Sequence, residues 1–157
     1  YSGLGEIKEM LREIGVKVLD NEVVHQNGLQ IAGLKHMNAD QGGRSMHAAT
    51  NAKTIAEVLP ALALNKEIPS VLLHHSPDGI EYANEAGIDL YLAGHTHGGQ
   101  FFPVTLINDL LFKYNRGIYN FGKMKIYVST GSGTFGPPIR IGTSSQISLI
   151  KLNSKKD

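Results

Sequence analysis

Apolar residues recur at Leu4, Ile7, Leu11 and Ile14 with the three-and-four spacing of one helix face. Ser2 ahead of them is a candidate N-cap, and Gly15 behind them a candidate C-terminal cap. Residues 16–19 then read as a short strand. Val23 and Val24 face residues 29–34 across Asn27-Gly28, a dipeptide suited to a two-residue hairpin turn because both residues tolerate positive φ. Residues 36–45 are polar and contain glycine, which predicts a surface loop. A second helix is expected from about Thr50, with Ile55, Val58, Leu59 and Leu62 on one face and Pro60 kinking or shortening it.

The pattern is clearest in the middle of the chain. Residues 70–74 form an apolar run too short for a helix and bounded by Pro69 and Pro77, hence a buried strand. Ser76-Pro77-Asp78 reads as an N-cap, a first-turn proline and a favourable N-terminal charge for a helix ending near Gly87. Residues 88–93 repeat the buried-strand pattern, and a strand–helix–strand unit implies parallel neighbours joined by a right-handed crossover. A long loop with Pro103 follows, then a turn of helix over residues 106–112 and strands over 125–130 and 146–152. The chain reads as a single α/β unit over residues 1–152, with residues 153–157 as a disordered tail.

Composition narrows the chemistry. The chain has 157 residues, 41% hydrophobic and 18% charged, an ordinary globular balance. A net charge of +1 with scattered basic residues argues against nucleic acid as a stable partner. The absence of cysteine excludes disulfides and thiolate metal sites. No apolar run approaches the roughly 20 residues that cross a bilayer.

Four of the seven histidines sit where the two strongest strands end: His74 and His75 after the first, His95 and His97 after the second. Open α/β sheets place ligands beyond the carboxyl ends of their strands, and neutral imidazole is the commonest metal ligand. Gly94 and Gly98-Gly99 flank the second pair, and in extended backbone residues two apart project to the same side. Adjacent His74 and His75 face opposite ways, so one points at the site and the other into packing or solvent. His25, His36 and His47 match no motif and read as structural.

The segment Gly-His-Thr-His-Gly-Gly-Gln at residues 94–100 resembles the closing motif of the calcineurin-like metallophosphoesterases, a bacterial subgroup in particular. Leu72-Leu73-His74-His75-Ser76-Pro77-Asp78, Tyr127-Val128-Ser129-Thr130-Gly131-Ser132-Gly133 and Pro138-Ile139-Arg140 are similar to further family segments. The resemblance implies half of a four-layer α/β/β/α sandwich with a mixed sheet. It assigns His75 and His95 to one metal ion and His97 to a second, with His74 outside the set. It also implies a metal-dependent phosphoester hydrolase acting on a phosphoester substrate with two divalent ions, Mn, Fe, Zn, Co or Ni.

The family's Asp-x-His, Gly-Asp and Asn-His motifs do not occur here. Asp40 and Asp109 read as loop charges rather than substitutes. The expectation is therefore an incomplete C-terminal half, without a catalytic residue of its own and inactive alone. It should hold at most one weakly bound metal, and either oligomerise or stay with its own N-terminal half. Membrane attachment through an N-terminal segment is a trait of similar bacterial members. A non-catalytic metal-binding or interaction module is the alternative.

Residues 131–136, Gly-Ser-Gly-Thr-Phe-Gly, formally match a dinucleotide-binding glycine pattern, but Pro137-Pro138 stand where a helix N-terminus is required. Gly133 and Arg140 are instead candidate contacts to a substrate phosphate. Asn115 and Arg116 border the same cleft without an assigned role.

Overall fold

The computed structural model describes residues 4–42 and 53–153. The Ser2 cap, the helix start at Thr50, His47 and most of the tail lie outside the described residues. Helix α1 (Leu4–Glu13) is followed by strands β1 (Glu22–Gln26) and β2 (Leu29–Gly33), helix α2 (Ile55–Ala61), strand β3 (Ser70–Leu73), helix α3 (Ile80–Glu85) and strand β4 (Leu90–Ala93). Helix α4 (Val104–Leu111) and strands β5 (Gly117–Phe121) and β6 (Met124–Val128) complete it. The strands form one mixed sheet in the order β1-β2-β3-β4-β6-β5. Its four central strands run parallel, and β1 and β5 pair antiparallel at the two edges.

The hairpin follows from its turn. Asn27 and Gly28 both take left-handed backbone, φ 50 and φ 77, so the twist of the turn matches that of the strands it joins. β1 and β2 pair from Gln26–Leu29 outward. α2 and α3 cover one face of the sheet. Ile55, Val58 and Leu59 from α2 and Ile80 and Ala83 from α3 close over Ala32, Leu72, Tyr91, Ile126 and Val128. Every second strand residue faces this core, as the pleat requires.

Five expectations need correction. Ser76 does not cap α3: its hydroxyl donates to Asp78 at 2.6 Å, and Gly79 in left-handed backbone precedes the helix. Residues 36–45 are not wholly a surface loop, since Met37 is buried in the core. Asp109 lies within α4 rather than in a loop. Residues 16–19 form no strand. Instead Leu19 packs across the second face of the sheet, so close to Gly33 that a β-carbon there would meet Leu19 Cβ at 2.3 Å. Residues 146–152 likewise form no strand. Ile147 and Leu149 stand almost fully exposed while Ser148 and Ile150 line the second face, but a strand also needs a ladder partner, and none is present among the described residues. Ser148 meets only the hydroxyl of Tyr127, across the face of the sheet. β5, by contrast, went unread: its alternating half-exposed residues join β6 through Gly122-Lys123.

The second sheet face is thus only partly covered. A groove of about 570 Å³ lies on it, lined by Leu19, Gly33, Leu73, His75, Leu92, Tyr127 and Ile150 among others.

Candidate metal centre

The register of the parallel strands brings the histidines together. Leu73 pairs with Leu92, and the backbone ladder continues past both strand ends, His74 N–H donating to Leu92 (3.2 Å) and Gly94 N–H to His75 (3.0 Å). The pleat then separates His74 from His75. His74 follows Leu72 into the core and is 6% exposed, whereas His75 follows Leu73 outward. His74 Nδ1 lies 2.8 Å from the Ser76 carbonyl and 3.0 Å from the Tyr91 hydroxyl. Among the described residues its Nε2 is buried without a hydrogen-bond partner. Burial pushes this imidazole down to about 4, so it is neutral at pH 7. Tyr91, itself fully buried, donates to the Asp78 carbonyl at 2.7 Å, and burial drives its hydroxyl up from the ordinary tyrosine range.

On β4, plain alternation would send residue 95 to the core face of Tyr91 and Ala93. The backbone of His95 is left-handed, φ 74, and breaks that alternation. Its Nδ1 lies 2.8 Å from His75 Nε2, with ring centroids 4.7 Å apart and planes at 73°. At this separation one ring nitrogen donates its proton to the other, and without that proton the two lone pairs are close enough to serve one cation. His97 is also left-handed, φ 50, in a short 3-10 turn, His97–Gly99. The expectation that residues 95 and 97 project to one side assumed extended backbone, which neither has. His97 is half-buried, its Nδ1 3.3 Å from Arg140 Nη2 and its ring 6.5 Å from that of Phe135. Burial and then the Arg140 cation hold its imidazole below the ordinary range.

Left-handed backbone at a residue with a side chain costs about 1–3 kcal/mol, and two such residues in one turn mark strain held by the surroundings. Buried Thr96 between them supplies that hold. Its hydroxyl donates to the Asn115 carbonyl at 2.5 Å, and its own carbonyl accepts from Asn108 Nδ2 at 3.2 Å. Asn108 also donates to Asn115 Oδ1 (2.7 Å), and Asn115 to Asp109 Oδ1 (2.5 Å). Asp109 in turn pairs with Arg116 at 3.3 Å. The signal for this network was present as the one buried asparagine in the apolar helix α4. Asn108→Ala strands the Asn115 Oδ1 acceptor, while the Thr96 carbonyl keeps the Gly99 N–H at 2.9 Å, and is expected to lower stability by about 1–3 kcal/mol, read from the urea midpoint.

One histidine set aside as structural belongs to the cluster. The His36 ring centroid lies 5.2 Å from that of His75, 6.0 Å from His74 and 6.2 Å from His95. The topology explains its arrival, because β2 is the parallel neighbour of β3 and residue 36 follows the end of β2 as residues 75 and 95 follow theirs. His25, in contrast, is exposed on edge strand β1. Asp40 accepts from Tyr82 at 3.0 Å. Gly133 is exposed in a turn whose carbonyl accepts from Arg140.

His75 and His95 suit a divalent cation: both are imidazoles, their nitrogens already meet, and their backbones are tied together by the ladder. Among the described residues, no group of three or more His, Cys, Asp or Glu is arranged to hold a metal ion.

No family model and no solved structure matches the chain. Relatives do. An uncharacterized metallophosphoesterase of Campylobacter jejuni is 34% identical over 160 residues, covering 99% of this chain and 40% of the relative. One from Aquifex aeolicus is 35% identical over 162 residues, covering 99% of this chain and 58% of the relative. A transmembrane protein with a metallophosphoesterase domain from Danio rerio is 29% identical over 92% of this chain and 34% of its own length. The chain thus spans roughly two fifths of the length of the first of these, and among its described residues no helix is long and apolar enough to cross a membrane. With likeness over nearly its whole length and histidines gathered at the ends of its central parallel strands, the chain belongs to the calcineurin-like metallophosphoesterase family.

Proposed function

We propose that this chain supplies the histidine side of a binuclear phosphoester hydrolase, His75 and His95 holding one divalent ion and His97 contributing to a second. The observation that carries this reading is the 2.8 Å approach of His95 Nδ1 to His75 Nε2 at the carboxyl ends of parallel strands. When bound, such ions polarise a phosphoryl oxygen and make hydroxide available near neutral pH. The residues of this chain orient the imidazoles: the ladder past β3 and β4 fixes two of them, and the Thr96–Asn108–Asn115 network fixes the turn that carries His95 and His97.

Neutral imidazoles bring no negative charge to offset two dications, so the carboxylates and the catalytic groups are assigned to the part of the longer relatives that this chain does not span. The apolar groove beside His75 and exposed Ile147 and Leu149 are assigned to contact with that part. Light scattering on this chain alone is expected to show association; a monomer at all concentrations counts against that assignment.

Hydrolysis of bis(p-nitrophenyl) phosphate with added Mn²⁺ tests the incomplete site. No turnover above the metal-only background is expected from this chain. Turnover that His95→Ala abolishes would show instead that the donor set is complete here. A non-catalytic metal-binding module is the alternative and is distinguished when this chain is mixed with the part of a longer relative that it does not span: it would bind metal and still turn nothing over.

A further inference from the structure

Helix α4 turns its polar residues inward and its apolar residues outward. At about 100° per residue, Leu106, Leu110, Ile107 and Leu111 share an arc of roughly 140° of its circumference. All four are exposed, Leu110 at 87%. The buried arc is Thr105 and Asn108. Asn108 donates to the Thr96 carbonyl at 3.2 Å and to Asn115 Oδ1 at 2.7 Å, so the helix cannot roll its leucines inward without giving up the bonds that hold the histidine turn. The apolar surface continues beyond the helix: Phe102 is exposed, and its N–H donates at 2.8 Å to the carbonyl of exposed Ile141. Among the described residues none covers this face.

Size and charge select the occupant. This handful of side chains falls well short of the roughly 20–30 residues a side that a stable protein interface uses. A bilayer needs no matching surface and takes up side chains that protrude, as Leu110 does. The exposed arc carries no carboxylate. Asp109, the one acid of α4, lies off the arc and pairs with Arg116 at 3.3 Å, and exposed Lys113 follows the end of the helix. Two cations against one anion at the border complement an anionic headgroup layer. An eight-residue helix is about 12 Å long against a hydrocarbon core of about 30 Å, so α4 lies on a bilayer rather than across it. The groove assigned above to the rest of the longer relatives is a separate surface, with no residue of α4 in its lining.

We infer that Phe102 and the outer face of α4 dock this chain on an anionic lipid surface, the leucines entering the headgroup boundary and Lys113 meeting lipid phosphate. Asn108 and the close approach of Gly99 to Thr105 fasten α4 to the turn that carries His95 and His97, so docking sets that turn beside the headgroups. The docking does not depend on those histidines binding metal.

Co-sedimentation of the full chain with vesicles of phosphatidylcholine and phosphatidylglycerol tests this. Binding is expected, and weaker binding to phosphatidylcholine alone. Leu106→Asp combined with Leu110→Asp should lower binding at least about 10-fold, since burial of each leucine is itself worth about that factor. Both side chains are exposed, so the urea midpoint should hold; Leu110→Ser alone, the milder change, should lower binding in the same direction. Ile147→Asp combined with Leu149→Asp alters two equally exposed residues of another segment and should leave binding unchanged. No binding to the anionic vesicles, or equal losses from the two pairs, overturns the inference. So does an α4 pair that turns an associated chain into a monomer without changing vesicle binding, because the occupant is then a second copy. Loss of vesicle binding on adding the part of a longer relative that this chain does not span overturns it too, because that part then covers the face.

Discussion

Replacing His95 by alanine is expected to weaken binding of Mn²⁺ or Co²⁺ to this chain by roughly 100-fold or more, beyond the reach of calorimetry. Loss of a partner that merely orients a ligand typically costs 10–100-fold, and a ligand itself costs at least the upper end of that range. His75→Ala should match it, because the two nitrogens converge at 2.8 Å and neither imidazole alone holds a dication firmly. His74→Ala should leave affinity within a few-fold, since that ring turns into the core toward Ser76 and Tyr91. The unaltered chain should show one weak site. Equal affinity in His95→Ala would remove the metal assignment, and two tight sites would overturn the expectation that this chain carries an incomplete donor set. The backbone offers a separate check: His95→Gly should be more stable than His95→Ala by about 1 kcal/mol, because only glycine is at ease at φ 74.

The largest stability effect is expected at Gly99. A β-carbon there would lie 2.5 Å from Thr105 Cα, 2.8 Å from Thr105 N and 3.0 Å from the Val104 carbonyl oxygen, at φ 82. All three neighbours are backbone in the first turn of α4, so no side-chain rotation relieves the clash and the helix must shift. α4 carries Asn108, which holds the Thr96 carbonyl between the two turn histidines. Gly99→Ala should therefore cost roughly 3 kcal/mol or more in urea denaturation and weaken metal binding as well. Gly117→Ala is the control: its φ is 93 but nothing lies within 4 Å, so about 1 kcal/mol of backbone strain is the whole expected cost. Equal losses at the two positions would show that the close approach to α4 contributes nothing.

Much of the fold was legible because local rules and tertiary contacts agree. Asn27-Gly28 needs left-handed backbone and takes it, and the short apolar runs ending at residues 73 and 93 become central parallel strands. The failures share a cause. Residues 16–19 and 146–152 have the alternation of strands but, among the described residues, no strand to pair with, and pairing is invisible in a local pattern. β5 has a neighbour but alternates only between half-buried and exposed residues, with too little hydrophobic contrast to stand out. Met37 lies in a polar stretch and is carried into the core by the path of its loop.

The same division holds at the candidate site. Period-two geometry along β3 already required His74 and His75 to face apart, and the turn glycines already announced unusual backbone. Which of the two enters the core depended on the face that α2 and α3 cover. His36 could be recruited only through the neighbour relation of β2 and β3, which joins segments nearly forty residues apart. The separate surroundings of His95 and His97 depended on left-handed backbone at both, held by Thr96, Asn108, Asn115 and Arg140 from distant segments. The linear chain thus determined which residue types stand at the strand ends, because hydrophobic period and turn chemistry act over a few neighbours. Direction and partner were decided by the tertiary structure, because each is the outcome of competition among groups that only folding brings within hydrogen-bonding distance.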